Sequence, residues 1–127
     1  DAAAGNLPSF VGTVYRGIKL RIPPATYQVG HIITWQAPSS ASEDQTVPID
    51  FVEKSGNQLS GTFFLVHSKA GKKIADYSAF PNEKEIFFRT NSHFQVVEHL
   101  TQEAAKHDRL QQLAADDLTH LLVYALE

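Results

Sequence analysis

The chain contains no cysteine and no methionine, and a single tryptophan. Without cysteine there is no disulfide framework and no thiolate metal site. Without methionine there is no initiator, which suggests a processed chain or a module cut from a larger protein; Asp1-Ala2-Ala3-Ala4-Gly5-Asn6 reads as the end of a linker. No apolar run approaches the ~20 residues of a membrane helix, and no signal peptide is visible. Positive charge is not in excess either. The formal net charge is −3, so no bulk basic field exists for nucleic acid or an anionic membrane. Gly-x-x-x-x-Gly-Lys and Gly-x-Gly-x-x-Gly cradles are missing, as is a Gly-x-Ser-x-Gly elbow. The six histidines, at positions 31, 67, 93, 99, 107 and 120, show no metal-ligand spacing, and a site needs a specific ligand count and spacing.

What is present is 127 residues, the common size of one domain, with apolar residues spread along its length. Expected strands are Val11–Leu20, His31–Trp35, Leu59–His67, Lys73–Tyr77, the run through Ile86-Phe87-Phe88, Phe94–Val97 and a closing stretch within Leu118–Leu126. β-branched and aromatic residues dominate these runs. Tyr27–Gly30, Ser55–Asn57, Ala70–Lys73 and Thr90–Ser92 read as turns. Gln45–Lys54 reads as a short helix or irregular segment, with Pro48 in its first turn. Thr101–Asp117, free of Gly and Pro and rich in Ala, Leu, Gln and Lys, is the clearest helix. The expected fold is a β-rich α+β sandwich forming one domain over 7–127 after the linker-like 1–6.

The chemistry concentrates at Phe80-Pro81-Asn82-Glu83-Lys84-Glu85-Ile86, a turn that runs into a strand. Glu83 and Glu85 are two apart, so on extended chain their carboxylates share a side. Strand formation gives no reason for that repulsion, whereas a sugar-transfer site can use one carboxylate against ribose charge and another on the attacking group. Arg16 interrupts a strand-like run and offers a planar fork for phosphate, and Gly17 beside it permits close approach of a ligand. Ser39, Ser40 and Ser42 form a hydroxyl-rich segment after a strand, with the character of a loop or helix cap. Phe87, Phe88 and Phe94 suit a sheet core; Phe80, in the turn, is expected to be exposed.

Taken in order, Val14-Tyr15-Arg16-Gly17, Ser40-Ala41-Ser42 and Ile74 to Phe88 resemble the mono-ADP-ribosyltransferases of the Arg-Ser-Glu class. The resemblance spans about Leu7 to Val97. It implies two packed, mainly antiparallel sheets with few helices, and NAD as co-substrate without a metal. It implies that Glu85 is the catalytic glutamate and Glu83 the upstream glutamate of arginine-modifying members. Arg16, Gly17, Ser40, Ser42 and, on a weaker match, Phe51 would form the NAD site, with Phe80 recognising the acceptor. The implied acceptor is arginine on a protein. Nucleic acid, or water in a glycohydrolase, are alternative acceptors, and an inactive NAD- or protein-binding module is the non-enzymatic alternative. A toxin-like parent, secreted or delivered into a target cell, would come with a neutralising partner and would not be membrane-bound. Ala41 departs from the usual threonine, Pro38 from a common phenylalanine, and the helical region that precedes the Arg strand in the class is nearly absent.

Overall fold

A computed structural model describes the backbone of residues 9–36, 39–73, 85–89 and 91–127, and side chains over 12–36, 39–67, 86–89 and 91–127. The described residues form eight strands: β1 (Ser9–Ile18), β2 (Ile32–Trp35), β3 (Ser39–Ser42), β4 (Glu53–Ser55), β5 (Gln58–Lys73), β6 (Glu85–Phe88), β7 (Ser92–Leu100) and β8 (Leu121–Leu126). Among the described residues the helical parts are a 3-10 turn at Val47–Phe51, helix α1 (Glu103–Arg109) and another 3-10 turn at Gln111–Leu113. The strands run in the order β1-β3-β6-β5-β8-β7-β2, with β4 and β1 also paired to β5. Only β5 with β8 is parallel; the other named pairs are antiparallel.

β5 is the axis. It pairs with β1 along Ser9 to Ile18 and, on its other edge, with β8 along Gly61 to Val66. Its run Thr62-Phe63-Phe64-Leu65-Val66 is buried throughout, because both faces are covered. Phe64 and Val66 enter one apolar cluster with Val14, Trp35, Ile86, Phe88, Phe94 and Tyr124. Phe63 and Leu65 enter a second with Val52, Leu100, Leu110, Leu113, Leu118 and Val123. The period-2 alternation of β5 therefore joins the two cores.

Three expectations are corrected. The helix expected over Thr101–Asp117 spans only Glu103–Arg109. Leu110 leaves the helical region at φ −118°, ψ 61° and is buried in the second core, as is Leu113. Two backbone groups beyond the helix find tertiary partners: Gln112 N–H donates to Gln45 Oε1 at 3.0 Å, and Asp117 N–H donates to Asn57 O at 2.7 Å. Tertiary hydrogen bonds and burial thus override helix propensity. The turn expected at Ala70–Lys73 is strand, because β5 continues to Lys73 against both β1 and β6. The serine-rich segment is not a loop: Ser39–Ser42 is β3, held in register against Phe88–Glu85 of β6. The strand expected at Lys73–Tyr77 lies outside the described residues beyond Lys73.

The turn before β8 is held by helix α1. Lys106, 4% exposed, donates Nζ to Leu118 O (3.0 Å) and Thr119 O (3.3 Å). Glu103 Oε2 accepts from Leu118 N–H and Thr119 Oγ1, and Arg21 donates to His120 O. His99 stacks on Tyr124 at 4.8 Å. Burial, then the nearby Lys106 ammonium, pushes its pKa down from the ordinary imidazole value. The folded state therefore holds the His99 proton less well than the unfolded chain does. Where the unfolded chain binds more protons, stability rises with pH. This contribution is present above about pH 6.5, the ordinary imidazole value, and is lost as pH falls below it. The urea midpoint should drop from pH 7.5 to 5.5 in wild type and drop less in His99→Phe; an equal drop in both contradicts the assignment.

Candidate active site

β1 meets β3 at one registered pair, Tyr15 opposite Ser42. Beside that pair lies a cleft of about 700 Å³. Its walls are Tyr15 to Lys19 of β1 and the segment after it, Ser39 to Ser42 of β3, and Val47, Pro48, Asp50 and Phe51 of the first 3-10 turn. Arg16, Gly17, Ser40, Ser42 and Phe51, all singled out in the sequence, come together here.

Each wall has a local cause. Alternation along β3 puts Ala41 into the first core and leaves Ser40 exposed. Ala41, where the resemblance led one to expect threonine, is a core residue 5% exposed. Ser42 Oγ accepts the Asp44 N–H at 3.0 Å, and Asp44 Oδ1 accepts from Thr46 N–H at 2.8 Å and Thr46 Oγ1 at 2.6 Å. Gln45, buried, exchanges hydrogen bonds with Gln112 (2.8 and 3.0 Å) and donates Nε2 to Arg109 O at 3.1 Å. The segment between β3 and the 3-10 turn is thus fixed from both ends. Pro48 stands at the start of that turn, where its missing N–H costs nothing. Phe51 is 60% exposed beside the cleft, presenting an aromatic face that a flat ring can stack on.

Gly17 has a packing reason that the sequence did not reveal. A Cβ there would lie 2.5 Å from Pro48 O and 2.9 Å from Val52 Cγ1. The missing side chain lets the 3-10 turn close against β1. Gly17→Ala should push that turn outward and destabilise by about 1–3 kcal/mol through overpacking. Urea unfolding checks this, and a wild-type midpoint contradicts it.

Arg16 is half-buried, with Cζ 4.8 Å from the Trp35 ring centroid. Burial lowers its pKa, and Tyr27 acts in the opposite sense. Among the described residues no carboxylate pairs with it. A desolvated guanidinium suits a phosphate group. Lys19 and Asp50, which the sequence reading passed over, add one cation and one carboxylate to the lining. Their only sequence signal is proximity to Arg16 and Phe51.

Glu85 is placed by backbone pairing: it lies opposite Ser42 in the β3–β6 ladder. Its side chain, and all of Glu83 and Phe80, lie outside what is described. Phe88 and Phe94 are core residues as expected, and Phe87 is half-buried. Among the described residues no cluster of His, Asp or Glu has metal-binding geometry, and no helix is long and apolar enough to cross a membrane.

The β-rich fold is shared with solved ADP-ribosyltransferases. The profile of the NAD:arginine ADP-ribosyltransferase family (ART) matches residues 6–117, and the chain belongs to that family. Mav of Mycobacterium avium (strain 104), which carries a provisional name as an NAD(+)–arginine ADP-ribosyltransferase, is 36% identical over 99 residues, 75% of this chain and 11% of Mav. Vis from Vibrio splendidus, solved with agmatine, superposes with a TM-score of 0.72 at 22% identity over 99% of this chain and 53% of that one. Exoenzyme S of Pseudomonas aeruginosa, solved with human 14-3-3 protein beta and bound to Carba-NAD, superposes with a TM-score of 0.67 at 17% identity, covering 99% of this chain and 53% of that one. The two solved structures establish the fold. This chain spans about a tenth of Mav and about half of each solved chain.

Proposed function

We propose that this chain transfers ADP-ribose from NAD to arginine on an acceptor protein, releasing nicotinamide. The observation that carries the reading is the backbone register of Glu85 opposite Ser42, a residue that lines the cleft together with Arg16 and Phe51. Family membership supports the reaction class. The agmatine complex of Vis supports a guanidinium acceptor, and the Carba-NAD complex of Exoenzyme S supports NAD.

In this reading Arg16 binds the pyrophosphate and Phe51 stacks on nicotinamide. The Gly17 backbone meets the carboxamide, while Ser40 and Ser42 orient Glu85. The bond between ribose C1′ and the nicotinamide nitrogen breaks, and its electron pair leaves with nicotinamide. Glu85 holds the ribose 2′-hydroxyl and stabilises the positive charge that develops on the sugar. A guanidinium nitrogen of the acceptor then bonds to C1′. The guanidinium is protonated at neutral pH and a poor nucleophile, so Glu83 takes its proton as the bond forms. Phe80 contacts the acceptor.

We read 7–127 as one catalytic domain and place it in a toxin-like parent delivered to a target cell, as the name of the Vis toxin suggests. A neutralising partner in the producing cell follows from that placement. Glu83→Gln tests the division of labour between the glutamates. With agmatine as acceptor, transfer should fall about 10²-fold or more, the scale of lost general-base catalysis, while NAD hydrolysis continues. Equal loss of both activities would contradict the role given to Glu83.

A further inference from the structure

Arg16 is a half-buried cation without a carboxylate partner among the described residues, and an aromatic ring lies against it. Its guanidinium lies over the face of Trp35, 4.8 Å from the centroid. Trp35 itself is 7% exposed and tightly framed. Phe64, Phe88 and Phe94 pack on it with centroids at 5.5, 5.7 and 4.5 Å. Its Nε1–H donates to the Tyr27 hydroxyl at 3.3 Å. Tyr27 in turn packs on Phe64 and Tyr124 at 5.8 and 5.2 Å. Burial pushes the Tyr27 phenol above its ordinary value, so it is neutral at physiological pH and supplies a dipole rather than a counter-charge.

We propose that Trp35 is the positioning residue for Arg16, its indole face fixing the guanidinium so that the N–H edges stay available to the dinucleotide's pyrophosphate. The distinction from an ion pair is physical. A carboxylate would hydrogen-bond the same N–H edge that phosphate needs and would have to be displaced. A ring attracts the cation through its face and leaves the edge alone. Tyr27 fixes the rotation of the indole, which sets the plane on which the guanidinium lies. The pyrophosphate role rests on the NAD reading above; the contact itself does not.

Trp35 is the only tryptophan, so it reports on its own environment. Arg16→Gln should change the emission of the free protein, and ADP-ribose should change it in wild type only. Unaltered emission in Arg16→Gln overturns the contact, whatever the ligand. Calorimetric titration with ADP-ribose tests the role. Trp35→Leu should weaken binding about tenfold in the Arg16 background, the loss expected for a desolvated cation–π contact, and less than twofold in Arg16→Gln. Trp35→Phe, which keeps a ring, should retain most of the affinity and guards against a folding defect in the leucine variant. A tenfold loss in both backgrounds makes Trp35 merely structural and overturns the proposal while leaving NAD binding standing. No ADP-ribose binding by wild type overturns both readings.

Discussion

Glu85→Gln should reduce NAD cleavage by about 10³-fold, on the scale of removing a main electrostatic stabiliser of a transition state, while the folded protein persists. The substitution keeps side-chain size and removes only the negative charge. The packing of β6 resides in Ile86 and Phe88, 0% and 4% exposed, and the ladder to Ser42 is made by backbone. With that packing and ladder unchanged, stability should stay within about 0.5 kcal/mol of wild type. Nicotinamide release by chromatography and urea unfolding check the two halves. A large loss of stability would mean that Glu85 works for the fold.

Arg16→Gln should raise the KM for NAD about 10²-fold, within the range for losing one partner of a charge-assisted phosphate contact. Its effect on stability separates it from a structural arginine. A buried ion pair that loses one partner leaves an orphan charge and is strongly destabilised. Arg16 has no carboxylate partner among the described residues, so its removal orphans no charge among them and also relieves the desolvation that lowers its pKa. Affinity should fall while the urea midpoint falls little. A collapse of both would point to an unrecognised anionic partner in the folded chain.

The cleft walls of the candidate site were legible in the sequence as residue types in unusual places. An arginine in an apolar strand, a hydroxyl segment and two glutamates two apart each have an ordinary structural reading alone, and it is their order along the chain that singles them out; the first two line one cleft. The strands were legible where both faces are buried, as at Thr62 to Val66. Other features depend on contacts between distant segments. Leu110 and Leu113 look helical, but the second core draws them out of the helix. Gly71 looks like a turn, but Phe10 of β1 pairs with it across the sheet. Gly17 suggested room for a ligand, and a packing reason beside it, the Pro48 backbone at its side-chain position, was not visible. Trp35 reads as one more strand aromatic until β1 brings Arg16 over its face. Propensity acts over a few residues, whereas these outcomes join positions from about 20 to more than 60 apart.

The most direct test of arginine transfer is incubation of the protein with labelled NAD and a cell lysate, beside Glu85→Gln. Gel separation and mass spectrometry of the labelled species follow. The account predicts label on a discrete protein band, lost in the variant, with the ADP-ribose on an arginine side chain. Nicotinamide release with no labelled protein, or label in the nucleic-acid fraction alone, would contradict it.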